Sequence, residues 1–168
     1  MIDPKHIVRT GALDWSSIRR IRHPFNPMSD MKIGDLGDQT GMKRLGVNLT
    51  RIPPGKQSFI PHAHSMEEEF VFVLSGAGEV VLDRVAHPIG AGDFIGFPTD
   101  GVAHHFVSLG PDDLVYLTAG ERSAVEVSDL PSIGKTLVFR NNMVTLFDED
   151  GGETVSLAEW MARSVIED

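Results

Sequence analysis

The sequence contains no cysteine. That absence removes disulfide frameworks, thiolate nucleophiles and every zinc site built on sulfur, so any metal must be held by imidazole and carboxylate. Long apolar runs are also missing: stretches such as Phe70–Leu74 (FVFVL) are far too short to span a bilayer. Positive charge is in short supply. Fifteen Lys and Arg stand against 24 Asp and Glu, a formal net charge of −9, which argues against nucleic acid and anionic membrane surfaces as partners. The opening residues MIDPKHIVRT carry no apolar core of the secretory type. With cysteine absent as well, the expectation is a cytoplasmic protein.

What is present is an ordinary globular composition, 41% hydrophobic and 23% charged over 168 residues, enough for one domain (1–168) with a real core. The middle of the chain alternates short apolar segments with glycine-rich turns, the rhythm of an all-β barrel or sandwich. Strands are expected at Arg44–Ile52, Ser58–His62, Glu69–Ser75, Glu79–Asp83, Phe94–Phe97, His104–Ser108 and Leu114–Ala119. Ser75–Gly78 reads as a tight hairpin connection. Many strands at short spacing without intervening helices favour antiparallel pairing. Residues 1–41 read as an arm wrapping the barrel or a neighbour, with one short helix near Trp15–Arg20. The C-terminal part offers strands at Thr136–Phe139 and Val144–Phe147, then a helix over Leu157–Ile166. Ser156 and Glu159 form a capping box for that helix, and Leu157, Trp160, Met161 and Val165 make a packing stripe on one face.

Residues 61–70 read PHAHSMEEEF. In a strand alternate residues share a face, so Ser58, Ile60, His62 and His64 point the same way and the two imidazoles can converge on one point. A carboxylate has to join them from elsewhere. Of Glu67, Glu68 and Glu69, only one can be the first inward residue of the strand that follows. Taken alone, this stretch reads better as a solvated charged turn that happens to hold histidines.

Residues 92–104, GDFIGFPTDGVAH, change that reading. Together with Gly55 and PHAHSMEEEFVFVLSG they resemble the two motifs of the cupin superfamily. His62, Ala63 and His64 match the HxH of the first motif; four residues later Glu69 takes the glutamate position, and six more lead to Gly76. In the second motif Gly92 is followed by five residues and Pro98, and Gly101 by two residues and His104. Departures are one extra residue between Gly55 and His62, one extra between Pro98 and Gly101, and Ser108 where the family often has Asn. The resemblance spans residues 43–120, leaving an N-terminal arm (1–42) and a C-terminal extension (121–168), and looks closest to small bacterial single-domain cupins. It implies an all-β fold, a double-stranded β-helix of the cupin or jelly-roll type, with the extension ending in a helix. It also implies His62, His64, Glu69 and His104 as ligands of one divalent transition metal. Glu68 is the rival for the carboxylate position, but only Glu69 gives the six-residue spacing to Gly76.

Three imidazoles and one carboxylate suit Mn, Fe, Co, Ni or Zn, and a six-coordinate ion would keep two positions for water or substrate. Around this set, Glu67 and Glu68 read as solvated turn residues. His105 points to the opposite face from His104, and Phe106 shares the face of His104 and lines the pocket. Asn48 and Thr50, or Arg51 with the other parity, offer polar contacts from an early strand. Tyr116, the only tyrosine, reads either as a pocket acid or as packing. Nothing recruits His6, His23 or His87. A metal with one carboxylate ligand retains a local charge of about +1, which admits a small and even anionic substrate. Three functions compete. The preferred one is an enzyme using the metal as a Lewis acid on a hydroxy or keto compound, in the manner of a sugar-phosphate isomerase. The others are an Fe(II) dioxygenase and a non-catalytic metabolite-binding or sensing module. The resemblance further implies a homodimer.

Overall fold

Alternation converts directly into strands. In VFVL of Val71–Leu74, Val71 and Val73 are fully buried while Phe72 and Leu74 face outward. The computed structural model describes residues 5–148 and 151–163. In chain order its strands are β1 (Arg20–Ile21), β2 (Met31–Asp35), β3 (Leu45–Ile52), β4 (Ala63–His64), β5 (Glu69–Ser75), β6 (Ala77–Leu82) and β7 (Val85–Gly90). They continue with β8 (Phe94–Phe97), β9 (His104–Ser108), β10 (Leu114–Glu121), β11 (Val125–Leu130), β12 (Lys135–Arg140), β13 (Met143–Asp148) and β14 (Gly151–Ser156). Two helices, α1 (Leu36–Thr40) and α2 (Leu157–Arg163), complete the described elements together with a 3-10 turn at Thr10–Ala12. No described helix is long and apolar enough to cross a membrane.

The strands form a six-stranded sheet in the order β1-β2-β3-β10-β5-β8 and a three-stranded sheet β7-β6-β9, every pair antiparallel. Ile52, Val71, Val73, Val80, Phe106, Leu114 and Tyr116 from these two sheets share one apolar core. Each fully buried aliphatic side chain there contributes about 1.5–3 kcal/mol from burial. The arm wraps the barrel: β2 pairs with β3, and Met31 enters the core with no exposed surface. A third sheet, β14-β13-β12-β11-β4, has its own core of Ile60, Leu130, Val144, Leu146, Val155 and Trp160. Met161 on α2 packs against both cores. Ser156 caps α2 as expected: Glu159 N–H donates to Ser156 Oγ at 3.1 Å, and Ser156 N–H to Glu159 Oε2 at 2.8 Å.

Several expectations change. Ser75–Gly78 is not a hairpin: β5 pairs with β10 and β8 while β6 pairs with β7 and β9, so the chain turns a corner between sheets at Gly76. Ser58–His62 is not a continuous strand; isolated bridges at Gln57 and His62 lead into the two-residue β4. The expected helix near Trp15–Arg20 is a turn, with Asp14 accepting hydrogen bonds from Ser16 N–H and Ser16 Oγ, and β1 begins at Arg20. His87, which no motif recruited, lies on β7, an edge strand that tolerates Pro88 and had no expected counterpart. Strands β11 and β14 had no sequence counterpart. Val165 and Ile166 lie outside the described residues.

Candidate metal centre

Strand ends deliver three of the four expected ligands, and an isolated bridge delivers His62. His64 ends β4, Glu69 opens β5 and His104 opens β9. His62 and His104 face each other across a bridge in which each backbone N–H donates to the other's carbonyl, at 3.2 and 2.9 Å. Their rings therefore lie side by side, centroids 4.5 Å apart. One nitrogen from each of His62, His64 and His104 falls within 4.8 Å of the others. Glu69 faces this trio, with Oε2 3.7 Å from His64 Nε2 and Oε1 4.0 Å from His104 Nε2. Those separations are too long for hydrogen bonds, yet two ligand atoms with bonds of about 2.1 Å to a shared ion can span them.

The donor atoms are set up as ligands. His62 Nδ1 lies 2.8 Å from the Ile60 carbonyl, which only accepts, so Nδ1 carries the proton and Nε2 the lone pair. His64 Nδ1 makes the same arrangement with Glu126 Oε1 at 3.3 Å. His64 Nε2 and His104 Nε2 are buried without a hydrogen-bond partner, a costly state for polar atoms unless something pairs with them. Burial, reinforced by the neighbouring imidazoles, pushes the His62 pKa well below the ordinary value and that of His104 down to about 4. Burial also lifts Glu69 to about 7, opposed by His64 and assisted by Glu67. Neutral imidazoles and an under-compensated carboxylate are what a divalent cation needs. The residues present therefore fit a metal ion.

The surrounding residues divide differently from expectation. Phe106 does share the inward face with His104, but it lies in the core, 4.9 Å from the Tyr116 ring. The ring that touches His104 is Phe97, stacked at 3.6 Å between centroids. Thr50 and Tyr116 are register partners facing inward, with Thr50 hydrogen-bonded to the phenol. Burial and the Glu69 carboxylate push the Tyr116 pKa upward. Asn48 is half-buried on the same face as Thr50. Arg51 takes the outer face, ion-paired with Asp113 and lying over Trp15 at 5.6 Å. Glu68 is exposed as expected. Glu67 is not a solvated residue: it is half-buried, accepts from Ser123 N–H, and forms a second trio with His64 and Glu126. His23, which nothing in the sequence recruited, is buried against Phe59 and Trp160. With His62, Ile60 and Ser128 these residues line a cavity of about 170 Å³. A second, open cavity of about 460 Å³ is bordered by Glu69, Phe97, Phe70 and Phe94. Neither is lined by a lysine or arginine.

Phe97 was legible in principle, since it alternates with Ile95 on β8. Glu126 was not. In VEVSDL (125–130) apolar alternation points Val125 and Val127 inward, but the structure buries Glu126 and Ser128 and leaves Val125 exposed.

The family profile described as a cupin domain matches residues 48–120. A solved structure from Acidithiobacillus ferrooxidans, described as a provisional sugar phosphate isomerase, is 32% identical with a TM-score of 0.77, covering 92% of this chain and 94% of its own. A second, described as a sugar phosphate isomerase of the cupin superfamily from Silicibacter pomeroyi, is 30% identical with a TM-score of 0.64, over 86% and 91% of the two chains. Protein SchB of Streptomyces halstedii is 42% identical over 66 residues, which is 39% of this chain and 45% of that protein. The match thus spans less than half of that relative's length.

Proposed function

The chain belongs to the cupin superfamily, and we propose that it is a metal-dependent enzyme acting on a small hydroxy or keto compound. His62, His64, Glu69 and His104 would hold one divalent ion from the series Mn, Fe, Co, Ni and Zn. The observation that carries this reading is the pair of buried, partnerless Nε2 atoms on His64 and His104, both facing Glu69. When bound, the ion supplies Lewis acidity toward a carbonyl or hydroxyl oxygen. The protein's own part is positional. The Ile60 carbonyl and Glu126 hold the His62 and His64 rings with their lone pairs inward. Phe97 fixes the plane of His104 and keeps water off one of its faces. Tyr116, bonded to Thr50 and held protonated, keeps a neutral phenol within the electrostatic reach of the Glu69 carboxylate.

Isomerisation between aldose and ketose forms is the reaction class best supported, because the two solved relatives at 30–32% identity are described as sugar phosphate isomerases. The absence of lysine and arginine from both lined cavities favours a sugar or hydroxyketone without a phosphate. Metal analysis is the first test. Wild type should carry close to one ion per chain; His64→Ala and Glu69→Ala should lose most of it, and Glu68→Ala should keep it. Equal loss in all three variants would sink the ligand assignment. The reaction is read by NMR as solvent deuterium entering next to the carbonyl of candidate sugars, without oxygen. An iron-loaded protein that turns over only while consuming oxygen would replace this reading with a dioxygenase. Thermal stabilisation by a sugar without any exchange would replace it with a binding module.

A further inference from the structure

The C-terminal sheet is built onto the metal-binding loop. β4, which carries His64, pairs with β11 and not with a barrel strand, in the register His64↔Ser128 and Ala63↔Asp129. Beyond β4 the two segments exchange hydrogen bonds in both directions. Ser65 N–H donates to the Val127 carbonyl at 2.9 Å and to Glu126 Oε1 at 3.1 Å, while Ser123 N–H donates to Glu67. Glu68 N–H donates to Glu121 Oε2 at 3.2 Å, and Glu121 N–H to the Glu68 carbonyl at 3.1 Å. Each segment thus gives a carboxylate to the other's backbone. Residues 64–68 are clasped by the end of β10 and the segment that runs from it into β11.

We propose that Glu126 is the positioning residue of this centre, an acceptor brought by the C-terminal extension that keeps the His64 proton on Nδ1 and turns Nε2 toward Glu69 and His104. The geometry stands on its own; only its purpose rests on the metal reading above. Glu126 is 5% exposed, and Oε1 is held by Ser65 N–H, so its position does not depend on the histidine. Without the acceptor, a neutral imidazole prefers neither the observed tautomer nor the observed ring rotation, and a ring protonated on Nε2 cannot bind a metal there. The trio of His64, Glu67 and Glu126 resembles a second cation site, but the His64 nitrogen available to it already carries the proton shared with Glu126. It closes on a hydrogen bond instead.

The test uses the full-length protein and the variants Glu126→Ala and Glu126→Gln. In metal-free protein at about pH 8, above the ordinary histidine pKa, long-range ¹H–¹⁵N correlation reads the tautomer of the His64 ring. Wild type should show a single form protonated on Nδ1, and Glu126→Ala a mixture containing the Nε2-protonated form. Chelator competition for Zn²⁺ should then show a loss of about 10–100-fold for Glu126→Ala. Glu126→Gln keeps an acceptor oxygen and should retain both the tautomer and most of the affinity. An alanine variant with a single unchanged tautomer and wild-type affinity overturns the proposal, even if its melting temperature falls. So does a glutamine variant as defective as alanine. A wild type with the fixed tautomer that takes up no Zn²⁺ refutes the metal reading while leaving the positioning of the ring intact.

Discussion

Glu69 sits where its neutral form is favoured, its pKa pushed up to about 7 by burial, while the same burial keeps His62 and His104 uncharged. Metal uptake needs an ionised carboxylate and neutral imidazoles. His62 and His104 already meet that requirement at neutral pH, so they contribute no protons to the exchange there. Glu69 does: below about pH 7 an incoming ion must displace its proton. Affinity for Zn²⁺ should therefore fall as pH drops through about 7, by about tenfold per unit from Glu69 alone, and level off above it. Chelator competition across about pH 5.5–8.5 measures this, and a flat profile would contradict the burial of Glu69 in the metal-free state. The same residue illustrates what spacing can convey. Six residues to Gly76 singled out Glu69 among three glutamates, and the structure brings it, and not Glu68, to the histidines.

At the level of elements, punctuation decided most boundaries. Strands β5, β8 and β9 begin and end where glycine, proline and alternation place them. The misread hairpin at Ser75–Gly78 is instructive because the glycines there serve close approach. Gly76 has φ +81°, and a Cβ on it would run into the Asp113 carbonyl. That corner lets β5 stay in one sheet while β6 joins the other, so the two sheets can face each other over the shared core. A Gly76→Ala change combines a left-handed backbone with a backbone clash and should destabilise the protein by at least about 2 kcal/mol. Urea denaturation with an unchanged slope reads it; a loss under about 0.5 kcal/mol, the range of an ordinary surface substitution, would show that the corner relaxes freely. Strand β7 escaped notice because Pro88 argues against a strand, and only its edge position, paired with β6 alone, makes proline harmless.

For the whole molecule, the extension is the larger surprise. Two strands and a helix were expected after residue 120; instead β11–β14 and β4 make a full sheet with a core of its own, and α2 joins the two cores through Met161. The six-stranded sheet ends on β8, where Phe94 is 65% exposed and stacks on Phe70, with Phe72 and Leu74 exposed on neighbouring β5. An apolar sheet edge of this kind is suited to pair with its own copy about a two-fold axis. We propose the homodimer there. Light scattering after gel filtration should give twice the chain mass of 18.4 kDa for wild type and the chain mass itself for Phe94→Lys. A dimer that survives this substitution would place the interface elsewhere.

Residue order alone determined the strand rhythm of the barrel and the lack of thiolates, and through two motifs it pointed to His62, His64, Glu69 and His104 as candidate ligands. The strand rhythm follows from local alternation, and the four candidates follow from the resemblance of two short motifs to those of the cupin superfamily. Only tertiary structure decided which residues stand behind the ligands. Glu126 lies 62 positions from His64, and its strand shows inverted polarity because the space it faces holds polar side chains and not a core. His23 and Trp160 meet across almost the entire chain for the same reason: what fills the space beside His62 is set by how the arm and the extension pack together. No periodicity within either segment encodes that contact.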